Sequence, residues 1–135
     1  AVVVTAKGRL CEVDFRTLGA IRVKGVHVLG DAIQTAPLMP KSAHMANQQA
    51  KVCAAAIVAL MSGDAVDPAP LMANTCYSFM SDRLAAHVTS VHRYAAVQKT
   101  CLPVEGAGGL SEASTQRDAR YSAPWAPQIR PAALG

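Results

Sequence analysis

The first group of residues that could bind a cofactor is Gly30-Asp31-Ala32, directly after the largely apolar residues 26–29. The apolar run predicts a buried strand that places the Asp31 carboxylate at a tight corner, where Gly30 leaves room for close backbone approach. A helix is predicted to begin soon afterwards, at Lys41-Ser42-Ala43, and its backbone N–H groups and positive dipole end would favour an electron-rich ligand. These features suit a flavin nucleotide whose ribityl hydroxyls bond to Asp31. An ordinary strand-to-loop turn is the alternative.

The elements that must position this group are predicted from local patterns. Ser42 is a good helix N-cap, and apolar residues recur at helical spacing until Ser62-Gly63-Asp64, where Gly63 suits a left-handed C-cap. The helix is therefore expected to span about 20 residues, or roughly 30 Å. Before it, Val2-Val3-Val4 predicts a strand and Lys7-Gly8-Arg9 a turn.

The second half of the chain differs in composition. Asp67-Pro68-Ala69-Pro70 is a predicted linker, which divides the chain into residues 1–63 and 66–135. Residues 75–80 and 85–94 are predicted strands of an antiparallel sheet, and the Gly- and Ser-rich residues 103–118 a flexible connector. Prolines at 124, 127 and 131 argue against a continuous helix and predict an extended tail. The fold class is α/β (α+β), the last strand and helix of one domain followed by a small sheet domain.

Composition limits the functions to consider. The 135 residues are 51% hydrophobic and 16% charged, as expected of a folded protein, and the net charge of +4 is scattered. No basic run with interleaved aromatics indicates nucleic-acid binding, and no stretch approaches the ~18 apolar residues of a membrane span. The N-terminus has neither Met nor a charged leader, so the chain is expected to be part of a longer protein.

Four cysteines, Cys11, Cys53, Cys76 and Cys101, are widely separated. Without a CxxC or CxxCH pair, neither a zinc or iron–sulfur site nor a c-type haem is predicted in this chain. Cys53 falls on the apolar face of the predicted helix and is expected to be a core residue. Cys76 could be a buried thiol or a redox centre, and the residues alone do not decide between them.

Three motifs in order carry a resemblance to a known family. The string from Gly30-Asp31-Ala32 through Met39-Pro40-Lys41-Ser42-Ala43 to Val52 resembles the end of the FAD domain in the flavoprotein subunit of flavocytochrome c sulfide dehydrogenase. Asn74-Thr75-Cys76-Tyr77-Ser78 is similar to that family's redox-cysteine motif, and Tyr121-Ser122-Ala123-Pro124-Trp125 to its tail. The segment through Cys11-Glu12-Val13-Asp14 is also similar to the family.

The resemblance implies a fragment of an FAD-dependent enzyme that oxidises sulfide to sulfur or polysulfide and passes electrons to a c-type cytochrome subunit in the periplasm. Cys76 would be one half of a redox disulfide whose partner lies in a region missing from this chain. The family's tail Trp, here Trp125, lies beside the flavin, although a hydrophobic anchor is an equal alternative. Lys41 would face the flavin or be a solvated charge.

Two other functions remain open. One is a related sulfide:quinone-type flavin disulfide reductase, and the other is a non-catalytic remnant or docking module. The chain alone is not expected to bind FAD, because it contains no Gly-x-Gly-x-x-Gly phosphate loop.

Overall fold

The computed structural model describes residues 8–134 of the chain, with side chains to residue 128. The elements follow in the order β1 (Val13–Asp14), β2 (Gly19–Ala20), a 3₁₀ turn (Gly30–Ala32), α1 (Ala43–Ser62), β3 (Leu71–Phe79), β4 (Ala85–Ala95), β5 (Thr100–Pro103), β6 (Gly109–Leu110) and α2 (Gln116–Leu134). The predicted mixed α/β class with an antiparallel sheet is confirmed. The predicted strand at Val2-Val3-Val4 lies outside the described residues.

Helix α1 begins and ends as its sequence predicts. The hydroxyl of Ser42 accepts the backbone N–H of Met45, and Gly63 takes the left-handed conformation at φ 76°. These caps stabilise the two ends of the helix, and the Ser42 cap lies where the N-terminus meets the sheet.

The main sheet is antiparallel, with β4 pairing to β3, β5 and β6. Because side chains alternate along a strand, Met72, Asn74 and Cys76 leave β3 on one face and Thr75 and Tyr77 on the other. Met72 and Asn74 are buried on the first face, and Cys76 is half-buried. The predicted strands at 75–80 and 85–94 are thus found, with slightly different ends.

One core joins the two predicted parts of the chain. Phe15 and Leu18 from the first part pack in the same buried cluster as Met72, Tyr94 and Cys101 from the sheet. Residues 63–70 form the expected irregular connection between α1 and β3. The proposed division at residues 63–66 stays a prediction.

The predicted buried strand at residues 26–29 is wrong. This segment makes one isolated bridge, between His27 and Gly19, and Val26 and Leu29 are each 37% exposed. The backbone runs beside residues 18–20, with Val28 N–H donating to the Leu18 carbonyl. Within the described residues no strand pairs with the other edge of this segment, so it does not become part of a sheet.

The predicted extended tail is also wrong, because residues 116–134 form helix α2. The prolines do not prevent it, since Pro124 and Pro127 lie on its exposed side while Asp118 and Ser122 are buried. The backbone carbonyls that lose an N–H partner to proline can therefore bind water. The Thr115 hydroxyl accepts the N–H of Asp118 and caps the helix start, a signal present in the sequence.

The predicted connector at residues 103–118 contains more structure than expected. Strand β6 pairs with β4, and Thr115 bridges to Ala85. A Cβ at Gly108 would lie 2.5 Å from the Thr89 carbonyl oxygen, so glycine is required where this segment crosses β4.

Candidate functional site

The N-terminus of α1 is one side of the candidate site. Ser42 is half-buried, Lys41 and Ala43 are exposed, and the Ser42 hydroxyl and carbonyl accept the N–H groups of Met45 and Ala46. Within the described residues no acceptor faces the N–H groups of Ala43 and His44. The helix start therefore retains two free donors and the positive end of its dipole.

The Gly30–Ala32 turn lies against the same helix. Gly30 has φ 71°, and its N–H donates to the buried Gln49 side chain at 2.7 Å. Lys41 Nζ donates to the Asp31 carbonyl at 2.5 Å, which joins the turn to the helix start. The exposed Asp31 side chain and Ser42 thus border one small cleft of about 10 Å³, room for about one water molecule. A ligand of flavin size would have to lie over this surface rather than within it.

Cys76 is connected to the helix start through Asn74. Ser42 Oγ donates to Asn74 Oδ1 at 2.5 Å, and Asn74 Nδ2 donates to Cys76 Sγ at 3.4 Å. Asn74 is only 2% exposed, whereas the thiol is partly open to solvent. The structure therefore brings Ser42 and Cys76, two of the predicted site residues, into one hydrogen-bonded chain.

The other three cysteines differ from Cys76 in environment. Cys11, Cys53 and Cys101 are buried in the core, as predicted for Cys53, and burial raises the pKa of the Cys101 thiol to about 12. Burial also raises the pKa of Cys11 and Cys53. The neutral thiol is therefore favoured at these three sites, and a neutral thiol is a poor nucleophile.

Within the described chain, Cys101 is not a disulfide partner for Cys76. Cys76 is opposite Val88 and Cys101 is opposite Tyr94. At about 3.3 Å per residue these two β4 positions are about 20 Å apart, whereas the Cα atoms of a disulfide lie within ~7 Å. All four cysteines are free in this structure.

Trp125 lies on α2, away from the Cys76 face of the sheet. Its ring packs edge-on against His44 of α1 at 5.8 Å and Tyr77 of β3 at 5.5 Å, measured between ring centroids. Tyr77 leaves β3 on the face opposite to Cys76. Trp125 thus anchors α2 to both neighbouring elements, the alternative considered for it, while its predicted contact with a flavin stays a prediction.

A Ser–His–Asp cluster was not predicted from the sequence. Ser111 Oγ lies 2.8 Å from both His87 Nδ1 and Asp118 Oδ2, and it also accepts the His87 backbone N–H. The Ser111 hydroxyl lowers the pKa of Asp118, with a further contribution from His87. Because serine and aspartate meet the same ring nitrogen, the cluster is not a relay to a nucleophile; it fastens α2 to the sheet.

Two further sequence expectations concern metals and membranes. The described residues contain no group of three or more His, Cys, Asp or Glu side chains that could hold a metal ion. Neither helix in the described part of the chain is long and apolar enough to cross a membrane.

The region that holds Cys76 and Trp125 is similar to a flavin-binding domain. Residues 68–131 match the family model described as flavocytochrome c sulphide dehydrogenase, flavin-binding. The match confirms the resemblance predicted from the sequence and agrees with FAD as the cofactor. The matched range covers strands β3–β6 and most of α2. The match indicates a flavoprotein oxidoreductase. Gly30, Asp31, Ala32, Lys41, Ser42 and Ala43 lie outside the matched range.

Proposed function

We propose that this chain is part of a periplasmic flavoprotein that oxidises sulfide through a cysteine disulfide and FAD and passes electrons to a c-type cytochrome subunit. The match of residues 68–131 to the family supports this function, because the family's name includes both sulfide and a cytochrome. The observation that carries it is the Ser42–Asn74–Cys76 chain, since it joins the partly open thiol to the start of α1.

The residues around the helix start fit a flavin in type and placement. The Asp31 carboxylate, in the Gly30–Ala32 turn, is exposed and could accept hydrogen bonds from ribityl hydroxyls. The free N–H groups of Ala43 and His44 would face electron-rich atoms of the ring edge. Bound FAD would supply a two-electron acceptor that can release electrons singly to a haem partner.

The role proposed for Cys76 is that of one sulfur of a disulfide. Hydrosulfide attacks a disulfide sulfur, so that a new S–S bond forms while the bond between the cysteines breaks and one cysteine leaves as thiolate. Conversion of HS⁻ to zero-valent sulfur releases two electrons and one proton, and the electrons would be accepted by a bound flavin. The partner cysteine belongs, in this proposal, to a part of the protein outside this chain.

The test replaces the thiol in the native protein and follows the flavin spectrum. Cys76→Ser should retain the flavin absorbance but lose bleaching by anaerobic sulfide, and Cys53→Ala, which removes a buried thiol from α1, should bleach as wild type does. Unchanged bleaching in Cys76→Ser would refute the redox role. A colourless native protein near 14.1 kDa would favour a docking module instead.

The electron acceptor is tested separately. Sulfide-reduced protein is mixed with a c-type cytochrome or with a soluble quinone, and reoxidation of the flavin is followed by stopped flow. Rapid reoxidation by the cytochrome alone supports the proposal, whereas preference for the quinone would assign the chain to the sulfide:quinone type.

A further inference from the structure

The side chain of Asn74 is a buried amide whose oxygen and nitrogen both form hydrogen bonds. It leaves β3 on the core face at 2% exposure. Its Oδ1 accepts the Ser42 hydroxyl at 2.5 Å, and its Nδ2 donates to Cys76 Sγ at 3.4 Å. A buried amide is costly unless its polar atoms are paired, so these bonds determine how Asn74 is oriented.

Ser42 determines which end of the amide faces the sulfur. Its hydroxyl oxygen accepts the Met45 N–H as the N-cap of α1, and its single hydrogen must therefore go to an acceptor. Asn74 Oδ1 is that acceptor, so the NH₂ group points to Cys76. The reversed amide would place two donors, the NH₂ group and the hydroxyl hydrogen, against each other.

We propose that Asn74 is the positioning residue for Cys76, and that Ser42 holds Asn74 in the orientation that stabilises the thiolate. In the neutral thiol the S–H can donate to Asn74 Oδ1, at 3.6 Å, whereas in the thiolate the Nδ2–H group donates to sulfur. The same amide thus serves both protonation states without moving. A hydrogen bond to a charged sulfur is stronger than one between neutral groups, so the Nδ2–H group stabilises the Cys76 sulfur while it attacks or leaves as a thiolate.

This inference adds a residue to the proposed function and does not depend on it for its test. In sulfide oxidation, Asn74 would stabilise Cys76 as the sulfur that leaves when the disulfide breaks. The chemical reactivity of the reduced thiol can be measured without sulfide or a cytochrome. Failure of either proposal can therefore be recognised separately.

The test is alkylation of the reduced native protein with iodoacetamide, in which the Cys76 sulfur bonds to carbon as iodide leaves. The rate at Cys76 is followed by peptide mass mapping, and the buried Cys11, Cys53 and Cys101 serve as internal references. Asn74→Asp keeps an oxygen for the Ser42 hydroxyl but cannot donate to sulfur, so the rate should fall about tenfold or more.

The Ser42 variants separate positioning from packing. Ser42→Ala should slow alkylation severalfold, Ser42→Thr should restore the rate, and Ser42→Ala should have no further effect when combined with Asn74→Asp. Met80→Leu, an exposed change just beyond the end of β3, should react as wild type does.

Three outcomes would overturn the inference. The first is an unchanged rate in Asn74→Asp that remains folded, and the second is additive effects in the double variant. If Asn74→Asp fails to fold, equal rates for Ser42→Ala and Ser42→Thr would have the same meaning. Thermal unfolding of each variant is recorded, because a purely structural role would lower the melting temperature without following this pattern of rates.

Discussion

Replacement of Phe15 by alanine should destabilise both parts of the chain together. Phe15 is 1% exposed and lies in the buried cluster that also contains Met72 and Tyr94 of the sheet. Removing a buried phenylalanine side chain costs about 3–5 kcal/mol of the free energy of unfolding. Since whole domains are stable by roughly 5–15 kcal/mol, this is a large fraction of the total.

The assay is urea unfolding followed by two probes. With a slope of about 1–3 kcal/mol per molar, the loss should shift the midpoint by about 1–5 M. Far-UV circular dichroism reports on all elements, and the fluorescence of Trp125, the single tryptophan, reports on the contact between α1, β3 and α2. Both transitions should shift together, while Ile21→Ala, an exposed change in the same segment, should shift neither. A tryptophan transition unmoved by Phe15→Ala would show that the two parts unfold independently.

Two further predictions concern pH, each measured as the difference between wild type and variant. Burial lowers the pKa of His92 from 6.5, although the hydrogen bond to the Pro37 carbonyl acts in the opposite direction. As the pH falls, His92 therefore takes up a proton in the unfolded chain before it does so in the folded protein. The free energy of unfolding should decrease as the pH drops below 6.5. His92→Gln should remove that dependence, and an identical pH slope in both proteins would contradict the reasoning. Hydrogen bonds from Ser111, then His87, lower the pKa of Asp118 from 3.8, so its contribution is present above pH 3.8 and is lost on further acidification. Asp118→Asn should reduce this loss of stability at low pH, as followed by Trp125 fluorescence. An acid transition identical to that of wild type would contradict the role given to Asp118.

Sequence analysis predicted correctly the elements whose ends are marked by local residues. Helix α1 has both a Ser42 cap and a Gly63 stop, and both act as the sequence indicates. Residues 26–29 carry only an apolar pattern, which specifies a strand once a neighbouring strand pairs with it. No such neighbour lies along their outer edge in the described residues, so the pattern alone gave a wrong result.

The prolines of α2 show a second limit of sequence reasoning. Counted singly, each predicts a break, but Pro124 and Pro127 lie along one side of the helix, and that side is exposed. Which side faces the sheet depends on Asp118 and its contacts with Ser111 and with His87, a residue of β4 that is distant in the sequence. A tertiary contact therefore decided what local propensity could not.

The candidate site depends on the same distinction between local and distant contacts. Cys76 and the helix start at Ser42 were each recognisable as motifs, but the link between them was not, because Asn74 bonds to a serine 32 positions away in the sequence. An asparagine in a strand has no periodic signal that marks it as a link between a helix cap and a thiol. Its role appears only when β3 and α1 pack together. Burial then removes water from the amide, which forms its hydrogen bonds with Ser42 and Cys76 instead. Reactivity at Cys76 is thus expected to depend on the packing of α1 against the sheet, and variants that loosen this contact should slow its alkylation even when the cysteine itself is untouched.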